Sequence, residues 1–243
     1  MKNKKYTSLV LAFVLAFTML FTACGSSAPE GEASQGETVD STQQNENIDI
    51  EKSEFATEQI YEAYIENSDV VGWLKVSGCE IDNRVFQAGD NDYYLRRSET
   101  GETDVWGCYF LDYINENDGY TLPDKVNIIY GHALDDDPNS EKFSKLKRFK
   151  DEEFAQQNGT ISFDLLYANT EWQIFSACDI PVTIDYIDPN PDEVKYNETL
   201  TYMLENSYVD FGTEVTSEDK ILVLSTCTSD ENIRFVVAAK LIK

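Results

Sequence analysis

The sequence predicts a mainly β fold: a closed or nearly closed barrel of eight strands, with an N-terminal helix and a further helix in the long connection before the penultimate strand. Three observations carry that expectation. Eight short runs rich in Val, Ile, Leu and aromatic residues recur along the chain, each bounded by Gly, Asn, Asp or Pro. Fourteen tyrosines and thirteen phenylalanines suit pleated, half-buried surfaces better than a helical bundle. Helical patterns are few, and many short strands with few helices suggest closure.

The elements follow in order. "EFATEQIYEAYIEN" sets Phe55, Ile60, Tyr64 and Ile65 at roughly helical spacing between glutamates, which makes an amphipathic helix. "DVVGWLKV" is the first strand, and "NRVFQA", "WGCYFLDY" and "KVNIIYGH" are the next three. "SEKFSKLKRFKDEEFAQQ" interrupts them as a helical stretch, and its basic cluster from Lys142 to Lys150 is expected to be a solvated helix face. "GTISFDLL" and "TEWQIFSACDI" resume the strands. "NPDEVKYNETLTYMLENS" then starts with Pro191 and an acidic first turn, the marks of a helix beginning. It lies in a connection long enough to be a candidate wall of a binding groove. "DKILVLST" and "IRFVVAAKLI" close the set.

Ahead of the body, Lys2, Lys4 and Lys5 precede an uncharged run from Tyr6 to Ala23. That is the layout of an export signal, assigned to residues 1–23. Its strongly apolar part, Leu9 to Phe21, is shorter than the ~20 residues a membrane-spanning helix needs, so cleavage is favoured over retention as an anchor. The small residues around Cys24 resemble the lipobox of bacterial lipoproteins, in which that cysteine carries the lipid. Lipid or helix, the expected location is the extracellular face of the cell membrane. Residues 24–52 are polar, with little to bury, and are expected to be a disordered tether to a folded body at 53–243.

A formal net charge of −26 repels phosphates, so no nucleic-acid partner is expected. The five cysteines, at 24, 79, 108, 178 and 227, form no C-x-x-C pair, and one histidine cannot complete a conventional zinc site with them. No metal or cofactor is expected. Cys79, Cys108 and Cys178 read as small buried side chains, with disulfides between distant cysteines left open.

The chemistry concentrates in "LSTCTSDENIRFVVAAKLIK". An apolar run ends at Cys227, six residues rich in turn formers follow, and a second apolar run opens with Arg234. Paired antiparallel, the two strands set Cys227 opposite Arg234 on one face. A nearby cation favours the nucleophilic thiolate. Arginine stays protonated and cannot be the base, but its N–H donors suit an oxyanion or a substrate carbonyl. The proton shuttle has one candidate, His132, at the mouth of the "VNIIYGH" strand.

Together, "YGH" after a strand, "LSTC" ending the penultimate strand and an Arg opening the last resemble the sortases, cysteine transpeptidases of Gram-positive surfaces. "NSDVVGWLKVSGCEIDNRVFQAGDNDYYLRRS", "GCYFLDY" and the helical connection before "LSTC" are similar to class B members, over about Glu54 to Lys243. The resemblance implies a sortase-type barrel with Cys227 as nucleophile, His132 as general acid and then base, and Arg234 as oxyanion or substrate stabiliser. It implies attack on a threonine carbonyl in the C-terminal sorting motif of a secreted protein, a thioacyl enzyme, and transfer to a peptidoglycan peptide amine. It also implies substrate contacts at Asn91, Leu95, Tyr186, Ile187 and Ser225. The alternatives are a sortase-fold hydrolase, a pilin polymerase or a binding module without catalysis. A papain-like hydrolase fits poorly, because no helix begins at Cys227.

Overall fold

The structure, a computed structural model, describes residues 51–133 and 135–243. The export segment, Cys24 and residues 24–50 of the tether lie outside the described residues. The first helix, α1, runs Glu58–Glu66, with the Thr57 hydroxyl accepting the Ile60 N–H at 3.1 Å as its cap. Strands follow at Val70–Val76 (β1), Ile81–Phe86 (β2), Tyr109–Leu111 (β3), Val126–Tyr130 (β4), Thr160–Leu165 (β5), Glu171–Pro181 (β6), Ile221–Cys227 (β7) and Ile233–Leu241 (β8). Among the described residues these strands close into a barrel in the order β1-β2-β3-β4-β7-β8-β6-β5. Each strand anticipated from the sequence has its counterpart, and closure leaves no unpaired edge to protect.

The central strands are buried on both faces, so they read as continuous apolar runs rather than alternating ones. Their alternation survives as a division between two cores. Ile129, Leu222, Leu224, Phe235 and Val237 belong to one cluster with residues of every other long strand. Val126, Ile128, Ile221, Val223, Val236 and Ala238 point the opposite way. That outer face is covered by the helix α3, Glu193–Glu205, through Tyr196, Leu200 and Met203. Asp192 caps α3 by accepting the Lys195 N–H at 3.0 Å.

The basic cluster departs from expectation. Lys142–Lys150 is a 3₁₀ helix of nine residues, followed by the short helix α2 at Glu152–Gln157. Phe143, Leu146 and Phe149 are fully buried in the first cluster. Their spacing of three matches the three-residue turn of a 3₁₀ helix, which stacks them along one side. The segment is therefore a core element, and Lys147 itself is buried. Its ammonium donates to the carboxylate of Asp136 at 2.5 Å and to the carbonyl of Asp135 at 2.9 Å.

Candidate active site

Strand register assembles the three chemically distinctive residues. β4 and β7 run parallel, with Val126 beside Ile221 and so on to Tyr130 beside Ser225. Extended by two residues, the same register sets His132 beside Cys227. The pairing does continue past the strand end: the Gly131 N–H donates to Ser225 O at 3.3 Å, and the Thr226 hydroxyl donates to Gly131 O at 2.7 Å. On the other side of β7, Cys227 is the antiparallel partner of Arg234. Parity places His132, Ser225, Cys227 and Arg234 on the outer face, in line with Ile128, Val223 and Val236. All four line one cleft of about 240 Å³, walled opposite by Asn91, Asp92 and Leu95 and floored by Phe110 and Tyr130.

His132 is held on both sides. Its ring Nε2 lies 2.7 Å from the Leu95 carbonyl, and its own carbonyl accepts the Phe143 N–H at 2.8 Å. A carbonyl only accepts, so Nε2 carries the hydrogen and the neutral ring presents its lone pair at Nδ1. Burial holds the imidazole below its ordinary range, with Arg96 and Lys142 acting in the same direction against the Leu95 bond and Asp104. Gly107 lies close against the Leu95 carbonyl. It has φ +53, and a Cβ there would lie 2.5 Å from Tyr94 O and 2.6 Å from Leu95 O, so no other residue fits without displacing the carbonyl.

Cys227 is an exposed free thiol at the end of β7. Arg234 is half-buried, and its Nη1 donates to the carbonyls of Glu231 at 2.9 Å and Ile233 at 3.0 Å. Both acceptors are neutral, so these bonds orient the guanidinium without cancelling its charge. The remaining N–H donors stay available to a substrate oxygen. Beneath them the buried Ser225 hydroxyl lies 2.8 Å from the Tyr186 hydroxyl, and the Tyr130 hydroxyl donates to Asp112 at 2.7 Å. Burial pushes both tyrosines above their ordinary range, so they stay neutral.

Of the residues tied to substrate binding by resemblance, Asn91, Leu95 and Ser225 line the cleft. Tyr186 does not; it is buried behind Ser225. Ile187 is exposed on the same connection and is not part of the lining. The helical connection, a candidate groove wall from the sequence, does not line this cleft. α3 covers the outer core with one face and borders a separate surface groove through Lys195, Glu198, Thr199 and Tyr202, and the wall here comes from the segment between β2 and β3. Sequence reasoning missed Thr226, Gly107 and the Tyr130–Asp112 pair. For Gly107 the signal was present, since a glycine sits between Trp106 and Cys108 in an otherwise apolar run.

Cys79, Cys108 and Cys178 are buried free thiols, pushed up by burial to about 12, 12 and 11. They cannot supply thiolate near neutral pH, which leaves Cys227 as the accessible sulfur among the described residues.

Comparison with known proteins gives consistent relatives. The chain is 32% identical to sortase B of Listeria monocytogenes serovar 1/2a over 180 residues, covering 72% of this chain and 71% of that one. It is 31% identical to sortase B of Staphylococcus aureus over 181 residues, covering 73% and 72%. Among solved structures, the Staphylococcus aureus sortase B–substrate complex superposes with a TM-score of 0.70 at 30% identity, over 79% of this chain and 88% of that one. No family model matches the chain.

Proposed function

The chain belongs to the class B sortases, and from that premise we propose that it cleaves a sorting motif of secreted proteins at a threonine and joins the acyl part to a peptide amine of the cell wall. The observation that carries this reading is the convergence of Cys227, Arg234 and His132 on one cleft, Cys227 and Arg234 as strand partners and His132 just past the end of β4 on the bond to Leu95. In the proposed cycle the Cys227 thiolate attacks the threonine carbonyl, and free N–H groups of Arg234 receive the developing oxyanion. Protonated His132 gives its Nδ1 proton to the leaving amine as the C–N bond breaks, which leaves a thioacyl enzyme and a neutral imidazole. An incoming amine then attacks the thioester, passes a proton to Nδ1 and releases the thiolate. Leu95 keeps Nε2 occupied throughout, so the proton traffic runs through one nitrogen.

Asn91, Leu95 and Ser225 are proposed to meet the sorting motif, with Tyr186 fixing the Ser225 hydroxyl and Ile187 touching only peptide beyond the cleft. Residues 53–243 are the catalytic body in this reading. A lipid on Cys24, or the retained helix of residues 1–23, holds it at the extracellular face of the membrane, and residues 24–52 give it reach. The short apolar run and the small residues at Thr22, Ala23 and Gly25 support the lipid.

A library of threonine-containing peptides, incubated with and without a peptide amine, tests the proposal. Amine-dependent ligation by wild type and none by Cys227→Ala is expected. Release of free acid alone, unchanged by the amine, would make the protein a hydrolase, and cleavage of no peptide would favour a binding module.

A further inference from the structure

The loop between β7 and β8, residues 228–232, holds Arg234 through the Glu231 carbonyl, and the loop is itself held from outside. The Ser229 N–H donates to Asp136 Oδ2 at 3.2 Å, and the other oxygen of that carboxylate accepts from Lys147. Lys147 keeps only 4% of its side chain exposed, so the carboxylate is moored to a cation rooted in the core. Asp136 stands four residues after His132, and one side chain therefore joins the segment that follows the histidine, the 3₁₀ helix and the loop that follows the cysteine. Within the loop, Thr228 Oγ1 donates to Asp230 O at 3.0 Å, and outside it Val182 N–H donates to Asn232 O at 2.9 Å. The Asp136 bond is thus the tie nearer the cysteine. Lys147 and Ser229 together hold the Asp136 carboxyl down at about 2, so the tie stays ionised over the working range.

We infer that Asp136 is a positioning residue, which locks the 228–232 loop to buried Lys147 and thereby keeps the Arg234 guanidinium beside Cys227. The inference deepens the proposed reaction and rests on its reading of Arg234 as the group that meets the substrate oxygen.

Its test needs no substrate peptide, so failure to find transpeptidation leaves the test standing. The charge beside Cys227 is read by the ratio of alkylation rates with iodoacetate, an anion, and iodoacetamide, neutral and similar in size, measured on the Cys227 peptide of the full chain. Asp136→Ala alone strands a buried ammonium and endangers the fold. Asp136→Ala/Lys147→Met removes both charges together, leaves the net charge unchanged and still deletes the tie.

Arg234→Gln is expected to lower the ratio roughly fivefold, the factor that a unit charge a few ångström away carries in water. The double variant is expected to lower it about two- to threefold in the wild-type background, and not at all on top of Arg234→Gln, since the variants act through the same cation. Amide exchange at residues 228–232 should quicken while β7 and β8 keep their protection. An unchanged ratio, an equal fall in the Arg234→Gln background, or unaltered exchange in the loop overturns the inference.

Discussion

At the scale of single residues, the account turns on which atoms can carry a proton. His132 donates through Nε2 to Leu95, and burial lowers its pKa. The active form pairs a thiolate with an imidazolium. An ordinary thiol titrates at ~8.5, above the imidazole at ~6.5, so the thiol sets the alkaline limb of the rate profile and the histidine, the lower of the two, sets the acid limb. That limb is expected below the ordinary imidazole value of ~6.5, and a limb at or above it in the pH dependence of peptide cleavage contradicts the assignment. Gly107→Ala forces a Cβ into the Leu95 carbonyl. It is expected to cost about 1–2 kcal/mol in denaturant melts for the left-handed backbone, and about 10- to 100-fold in kcat for a misplaced imidazole. Alkylation of the full chain at pH 8 followed by peptide mapping should modify Cys227 and spare Cys79, Cys108 and Cys178, whose thiols are buried and held near 11 to 12. These details were partly legible in advance. Cys227, Arg234 and His132 are unusual residues at strand mouths and stand out by type. The Leu95 carbonyl is backbone chemistry, identical at every position, and only folding reveals which one meets the ring.

At the scale of elements, hydrophobic runs and turn residues marked all eight strands, because a doubly buried barrel strand writes its length directly into composition. The Cys227–Arg234 pair was legible for the same reason, since a short hairpin loop fixes register. The parallel β4–β7 contact was not, because parallel neighbours are far apart in sequence and nothing local encodes their offset. The basic segment misled for a physical reason: five lysine and arginine side chains dominate its composition, while Phe143, Leu146 and Phe149 recur every three residues and align only in a 3₁₀ geometry. Phe149→Ala is accordingly expected to cost about 3–5 kcal/mol in chemical denaturation. A surface helix would lose well under 1 kcal/mol, so a small effect would remove this segment from the core.

At the scale of the whole molecule, the barrel solves an assembly problem. Two residues from strands and one from just beyond a strand end meet because two neighbour relations of β7, one parallel and one antiparallel, bring them there. α3 covers the barrel's outer core and the 3₁₀ helix fills out its interior cluster, so the two strand relations are packed from both sides. The identity of the reacting sulfur is the claim on which everything else depends. Intact-mass analysis of the full chain, mixed with an intact threonine peptide that it cleaves and no amine, tests it most directly. The account predicts an acyl adduct that maps to Cys227, disappears when a peptide amine is added and never forms on Cys227→Ala. Turnover by Cys227→Ala, or an adduct that maps to any other residue, would contradict it.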